Sequence, residues 1–105
     1  MMYDEIEGLE GVDLDRAVAQ ALGYNIAGHD EEFGLRIQRG TGYVPFSPSS
    51  DWGAFGPLMV AYRVDLQSAD GNGWLGDGSF FDHHALTAGC RALLHAIKMK
   101  ELQLA

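Results

Sequence analysis

Asp82-His83-His84 is the one place in the chain where a carboxylate and two imidazoles stand side by side. Such a trio could hold a divalent metal, or supply a base that works near neutral pH. Adjacent histidines on an extended segment point to opposite sides, however, and no fourth ligand is evident in the sequence. Cys90 falls on the apolar face of a predicted helix, where a thiol behaves as a small hydrophobe. His95 falls on the polar face with Arg91 and Lys98. A solvated segment leading into a helix is the stronger reading, with Asp82, His83 and His84 kept as the metal-ligand candidates and as the centre of an alternative small hydrolase or metal protein.

Three other patterns invite chemistry and lose to a turn. Ser47, Ser49 and Ser50 with Asp51 contain a nucleophile and an acid, but no strand–Ser–helix elbow surrounds them, and turn capping accounts for all four. Gly71-Asn72-Gly73-Trp74-Leu75-Gly76 satisfies GxGxxG, yet the dinucleotide fingerprint needs a helix directly behind it, and bulky Trp74 sits inside. Asp70 and Asn72 open a calcium-loop pattern that fails at Trp74, at Leu75 in place of glycine, and at Phe81 in place of glutamate. No catalytic set and no cofactor is predicted.

The elements that position these residues can be read from periodicity. Leu14, Ala17, Val18, Ala21 and Leu22 follow helical spacing from Gly11, with Asp13 and Asp15 near the first turn and Gly23 placed just past the end. Residues 1–10 are acidic, short of large apolar groups and expected to fray. Residues 24–32 read as a loop. Phe33, Leu35 and Ile37 alternate as a short half-buried strand ended by Gly40-Thr41-Gly42.

The stretch Phe46–Leu66 organises the rest. It holds two of the three prolines and the longest apolar run. Ser49 or Ser50 is expected to cap a broken helix over Ser50–Tyr62, which runs into a strand at Arg63–Gln67. Asp70-Gly71-Asn72-Gly73 carries two hairpin signals, and Trp74–Phe81 should return as the second strand. A closing helix of about four turns has Leu86, Cys90, Leu93, Leu94 and Ile97 on its apolar face and Arg91, His95 and Lys98 on its polar one. The predicted class is α+β: N- and C-terminal helices plus a short broken middle helix, packed on a small antiparallel sheet of about three strands. Leu14, Val18, Leu22, Leu86, Cys90, Leu93 and Ile97 form the expected core. Trp52 and Phe55 are expected to join it, with Trp52 fixing the serine-rich turn.

Composition bounds the function. With 105 residues, 47% apolar and 21% charged, the chain fits one domain over 1–105 with its own core. A net charge of −8 comes wholly from the first third, where Asp4, Glu5, Glu7, Glu10, Asp13, Asp15, Asp30, Glu31 and Glu32 face only Arg16. A field of that sign opposes duplex nucleic acid and favours basic partners. One cysteine excludes an intrachain disulfide. The first residues lack the basic and apolar regions of a signal peptide, and no apolar run is long enough to span a membrane, so a cytoplasmic protein is expected.

Three blocks together carry a resemblance. They are LEGVDLDRAVA at Leu9–Ala19 with Leu22-Gly23, FSPSSDW at Phe46–Trp52 with Gly56-Pro57-Leu58-Met59, and ALTAGCRA at Ala85–Ala92. In this order the chain resembles the NinX-like family of small phage and prophage proteins, and is similar to phage alpha-beta-alpha sandwich domains. Residues 24–42 and 68–81 lie outside the resemblance, and His84-Ala85 stands where the family often opens its last helix with Thr-Pro. The resemblance implies a cytoplasmic phage or prophage product with helices on a small sheet, and it brings no catalytic residues. The functional expectation is an accessory protein that binds another protein, a host protein among the options; Trp52, Phe55 and Trp74 are the partner-surface candidates, Trp52 and Phe55 only where they stand exposed. The oligomeric state is left open, a homodimer among the options.

Overall fold

The computed structural model describes residues 3–30, 34–69 and 71–104. Within them the chain forms α1 (Tyr3–Glu7), α2 (Gly11–Ala21), β1 (Ile26–Asp30), β2 (Gly34–Arg39), β3 (Gly42–Pro45), α3 (Trp52–Tyr62), β4 (Leu66–Ser68), β5 (Trp74–Gly76), β6 (Phe80–Asp82) and α4 (Ala85–Leu104). The α+β class holds, but the strands divide into two antiparallel sheets, β1-β2-β3 and β4-β5-β6, where one was expected.

Helix α2 forms as its periodicity requires, with Leu14, Ala17 and Val18 buried and Ala21 and Leu22 half-buried. It ends at Gly23, whose φ of 79° lets the Tyr24 N–H return to the Ala19 carbonyl at 3.0 Å. The segment before it is helical rather than frayed over residues 3–7. Ile6, the one large aliphatic residue of that turn, is fully buried against the core and anchors it.

The loop expected at 24–32 contains β1, and β3 was not foreseen. Both are edge strands, and β3 is exposed along its whole length, so ladder bonding rather than burial holds it. Only central β2, with Leu35 and Ile37 buried, carries the alternation that periodicity detects. The Phe46 N–H donates to the Leu35 carbonyl at 2.8 Å, so Pro45 lies one step out of phase with the ladder bonds. Its missing N–H blunts the outer edge against further strand pairing.

Helix α3 is continuous from Trp52 and not broken. Pro57 lies inside it at the sixth position, so the Gly53 carbonyl loses its intrahelical donor, and the helix continues because both residues are exposed and that carbonyl can turn to water. The cap is the Asp51 carboxylate, which accepts from the Gly53 N–H at 2.9 Å, and neither Ser49 nor Ser50 takes that role. Arg63 then turns left-handed, at φ 55°, and the following strand starts at Leu66 rather than Arg63. The returning strand expected over Trp74–Phe81 is two strands, because Asp77 and Gly78 make a tight turn with φ 51° and 72°.

Helix α4, 20 residues long, is the hub. It packs on α1, α2, α3 and every strand of the second sheet. Small residues make this possible. A Cβ on Gly76 would strike the Ala88 carbonyl, and one on Gly89 would strike the Phe55 ring. Thus Thr87–Leu94 is buried on all sides, and Arg91, expected on a polar face, is only 7% exposed. Its guanidinium donates to the Leu9 carbonyl at 2.9 Å, to the Phe81 carbonyl at 3.1 Å and to Asp82 Oδ1 at 3.3 Å. One side chain thereby joins the segment before α2, the end of β6 and α4.

Candidate functional site

The side chains of the Asp82-His83-His84 trio are turned to separate partners. Asp82 turns one oxygen to Arg91 and uses the other to accept from the His84 N–H at 2.9 Å. His83 Nδ1 lies 3.4 Å from the Asn72 carbonyl, with its ring edge-on to Phe81. Among the described residues no group of three or more His, Cys, Asp and Glu converges as ligands. Cys90 is buried, and burial pushes its thiol far above the ordinary range, with the Asp15 carboxylate adding to the shift, so it is unreactive. His95 is half-buried with its ring tilted against Phe80.

Of the aromatic partner-surface candidates, two face solvent and one does not. Trp52, expected in the core, is 54% exposed and rests edge-on against Phe55. Phe55, expected in the core and a partner-surface candidate only if exposed, is fully buried and so is no partner contact. It takes the place under α4 that Trp52 was expected to fill, because Gly89 leaves room for a phenyl ring there. Trp74 is 38% exposed.

Two concave regions border the serine-rich turn. The first is a groove of about 300 Å³ between β3 and α3. Its apolar walls are Val44 and Pro45 on the strand and Ala54, Pro57 and Leu58 on the helix, with Phe46 and Ile37 below and Arg39 and Asp51 as its charged residues. The second is a cleft over the starts of α2 and α4, in two adjoining halves of about 380 and 500 Å³ that share Ser49, Ser50 and Thr87. Asp15, only 4% exposed, lines the first half and accepts from the Ser49 N–H at 2.8 Å. Burial raises its pKa, and the hydrogen bonds from Ser49 offset part of that rise. Trp52, His83, His84 and Leu86 line the other half.

Sequence reasoning placed Asp15 near the first turn of α2 and did not see it turned inward. The signal was present: Val18 and Leu22, three and seven residues on, belong to the apolar stripe, so Asp15 lies on the stripe's margin. The cleft is also where the three sequence blocks meet, Asp15 from the first, Ser49 and Trp52 from the second, Thr87 from the third.

The described residues thus form an α+β fold with concave regions on both sides of its serine-rich turn. The family model described as Bacteriophage P22, NinX matches residues 5–96, and the chain belongs to that phage family. No curated protein matches it. Among the described residues no helix is long and apolar enough to cross a membrane.

Proposed function

We propose that this phage-family protein is an accessory factor that binds a basic protein, host-encoded and in the bacterial cytoplasm, through the apolar groove between β3 and α3. The observation that carries this reading is the mismatch between the composition of α3 and its burial. WGAFGPLMVAY has no charged side chain, yet Phe55 alone is fully buried: Ala54 and Leu58 are only half-buried and Pro57 is exposed where they line the groove, and Val60 beyond it is 79% exposed. Apolar residues gathered on a surface in this way mark interaction sites. Tyr43 and Val44 extend the same character onto the facing strand. The net charge of −8 supports a basic partner, since charge of one sign steers the opposite sign into contact while the groove supplies the buried area.

The test is affinity purification from a lysogenic host with the wild-type chain beside Val44→Glu/Leu58→Glu. The expected outcome is a basic protein retained by the wild type and lost by the variant, whose circular dichroism stays native. Retention by both would move the contact away from the groove. Failure of either to retain a basic protein would count against the partner class.

A further inference from the structure

One side of α3 faces neither the core nor the groove, and it carries Trp52, Gly56 and Val60 at successive helical steps. Phe55, Met59 and Tyr62 turn toward the core, while Ala54, Pro57 and Leu58 line the groove. Among the described residues Val60 is the most exposed large apolar side chain, and Trp52 is more than half exposed. Gly56 between them is not explained by its own chain. Its backbone is not left-handed, and a Cβ there would meet nothing within 4 Å. Glycine weakens a helix relative to alanine, so a position with room for any side chain holds the one residue that leaves the surface flat.

The two ends of the helix carry opposite charges that nothing neutralises. Asp51, at the N-cap, accepts from the Gly53 N–H with one oxygen, and no cation pairs with it among the described residues. Arg63, at the C-cap, is exposed, and its guanidinium makes no ion pair or hydrogen bond among those residues. It stands at φ 55°, in the left-handed conformation that favours glycine, so the backbone is strained to present an arginine there.

We infer that this side of α3 is a two-fold interface with a second copy of the chain, in which two α3 helices cross antiparallel over Gly56. Trp52 and Val60 lie equally far to either side of Gly56, so the two-fold sets the Trp52 of each copy against the Val60 of the other. Glycine facing glycine lets the backbones approach closely, and both large side chains then reach the opposite helix. The same operation brings the Asp51 carboxylate of each copy toward the Arg63 guanidinium of the other, and the antiparallel helix dipoles attract as well. A second copy is the occupant because each of these groups finds its complement on the same side of the same helix. A contact carried by one helix of 11 residues is small beside the ~1,600 Å² of a standard interface, and two acidic chains repel at a distance. The dimer is therefore weak and concentration-dependent. The groove lies on another side of α3 and stays open in it.

The experiment is analytical ultracentrifugation of the full chain from low micromolar to near-millimolar concentration at physiological salt, with folding checked by circular dichroism and melting. The wild type should pass from monomer to dimer across that range. Val60→Glu and Gly56→Leu should each raise the dissociation constant roughly tenfold or more, although leucine is the better helix former and Gly56→Leu should melt no lower than the wild type. Arg63→Gly should melt higher, because glycine suits the left-handed position, and should still weaken the dimer several-fold. Val44→Glu/Leu58→Glu, in the groove, should dimerise as the wild type does. The inference is overturned if the wild type stays monomeric at the highest concentration, if Val60→Glu and Gly56→Leu dimerise as the wild type does, or if only the groove variant loses the dimer.

Discussion

Arg91 shows how much one residue can hold when its neighbours leave room for it. Its charge is buried, but three oxygens take its N–H groups, and Asp82 neutralises it. Removing the side chain would leave those acceptors facing apolar packing. Arg91→Met should therefore lower stability by roughly 3 kcal/mol, and Arg91→Lys should recover only part, because an ammonium cannot span the same fork. Urea unfolding of the two variants decides it. Asp15 works in the opposite sense. Its folded-state pKa lies above the ordinary 3.8, so the native state holds its proton more tightly than the unfolded chain does. Its contribution is most favourable below that value and is lost as pH rises through the folded pKa. Asp15→Asn keeps an acceptor for the Ser49 N–H and should flatten this decline, seen as a smaller drop in unfolding free energy from pH 4 upward. Trp52 and Phe55 form a third pair. Phe55→Ala should cost about 3–5 kcal/mol, whereas Trp52→Ala should cost about 1 kcal/mol, most of it the edge contact with Phe55.

At the level of elements, α2, β2 and α4 were legible because each has one clearly apolar face in its sequence. The edge strands β1 and β3 were not, since they bury little and are held by main-chain bonds to β2. Helix α3 was ambiguous for the reverse reason. A segment apolar on every side has no period to read, and glycine and proline within it argued for a break. The cleft was legible only in pieces. Its serines read as turn residues and Asp15 as a helix-start acid, and both descriptions are true, but nothing local says that the turn folds over the starts of two helices. The length of the fully buried part of α4 was hidden in its small residues, which look unremarkable until neighbours close on them. Gly89→Ala tests that packing. Alanine favours a helix over glycine, yet its methyl would meet the Phe55 ring, so the variant should melt below the wild type by calorimetry in spite of its better propensity.

For the whole molecule, the acids of the first third whose surroundings the structure describes do not all face outward. Asp15 is withdrawn into the interior, while Glu5, Glu7, Glu10 and Asp13 stay exposed. A mimic of nucleic-acid charge would need all of them outside, whereas a general attraction for basic surfaces needs only the net sign. The hub position of α4 has a further consequence during synthesis. The first two helices, both sheets and α3 all leave the ribosome before the helix on which most of them pack. Until α4 follows, Ile6, Leu14, Phe55 and Phe80 lack most of the surface that buries them. The nascent chain is thus expected to stay open to chaperones and proteases until α4 emerges, and a product cut short before Ala85 should be degraded in a pulse-chase rather than fold as a smaller protein.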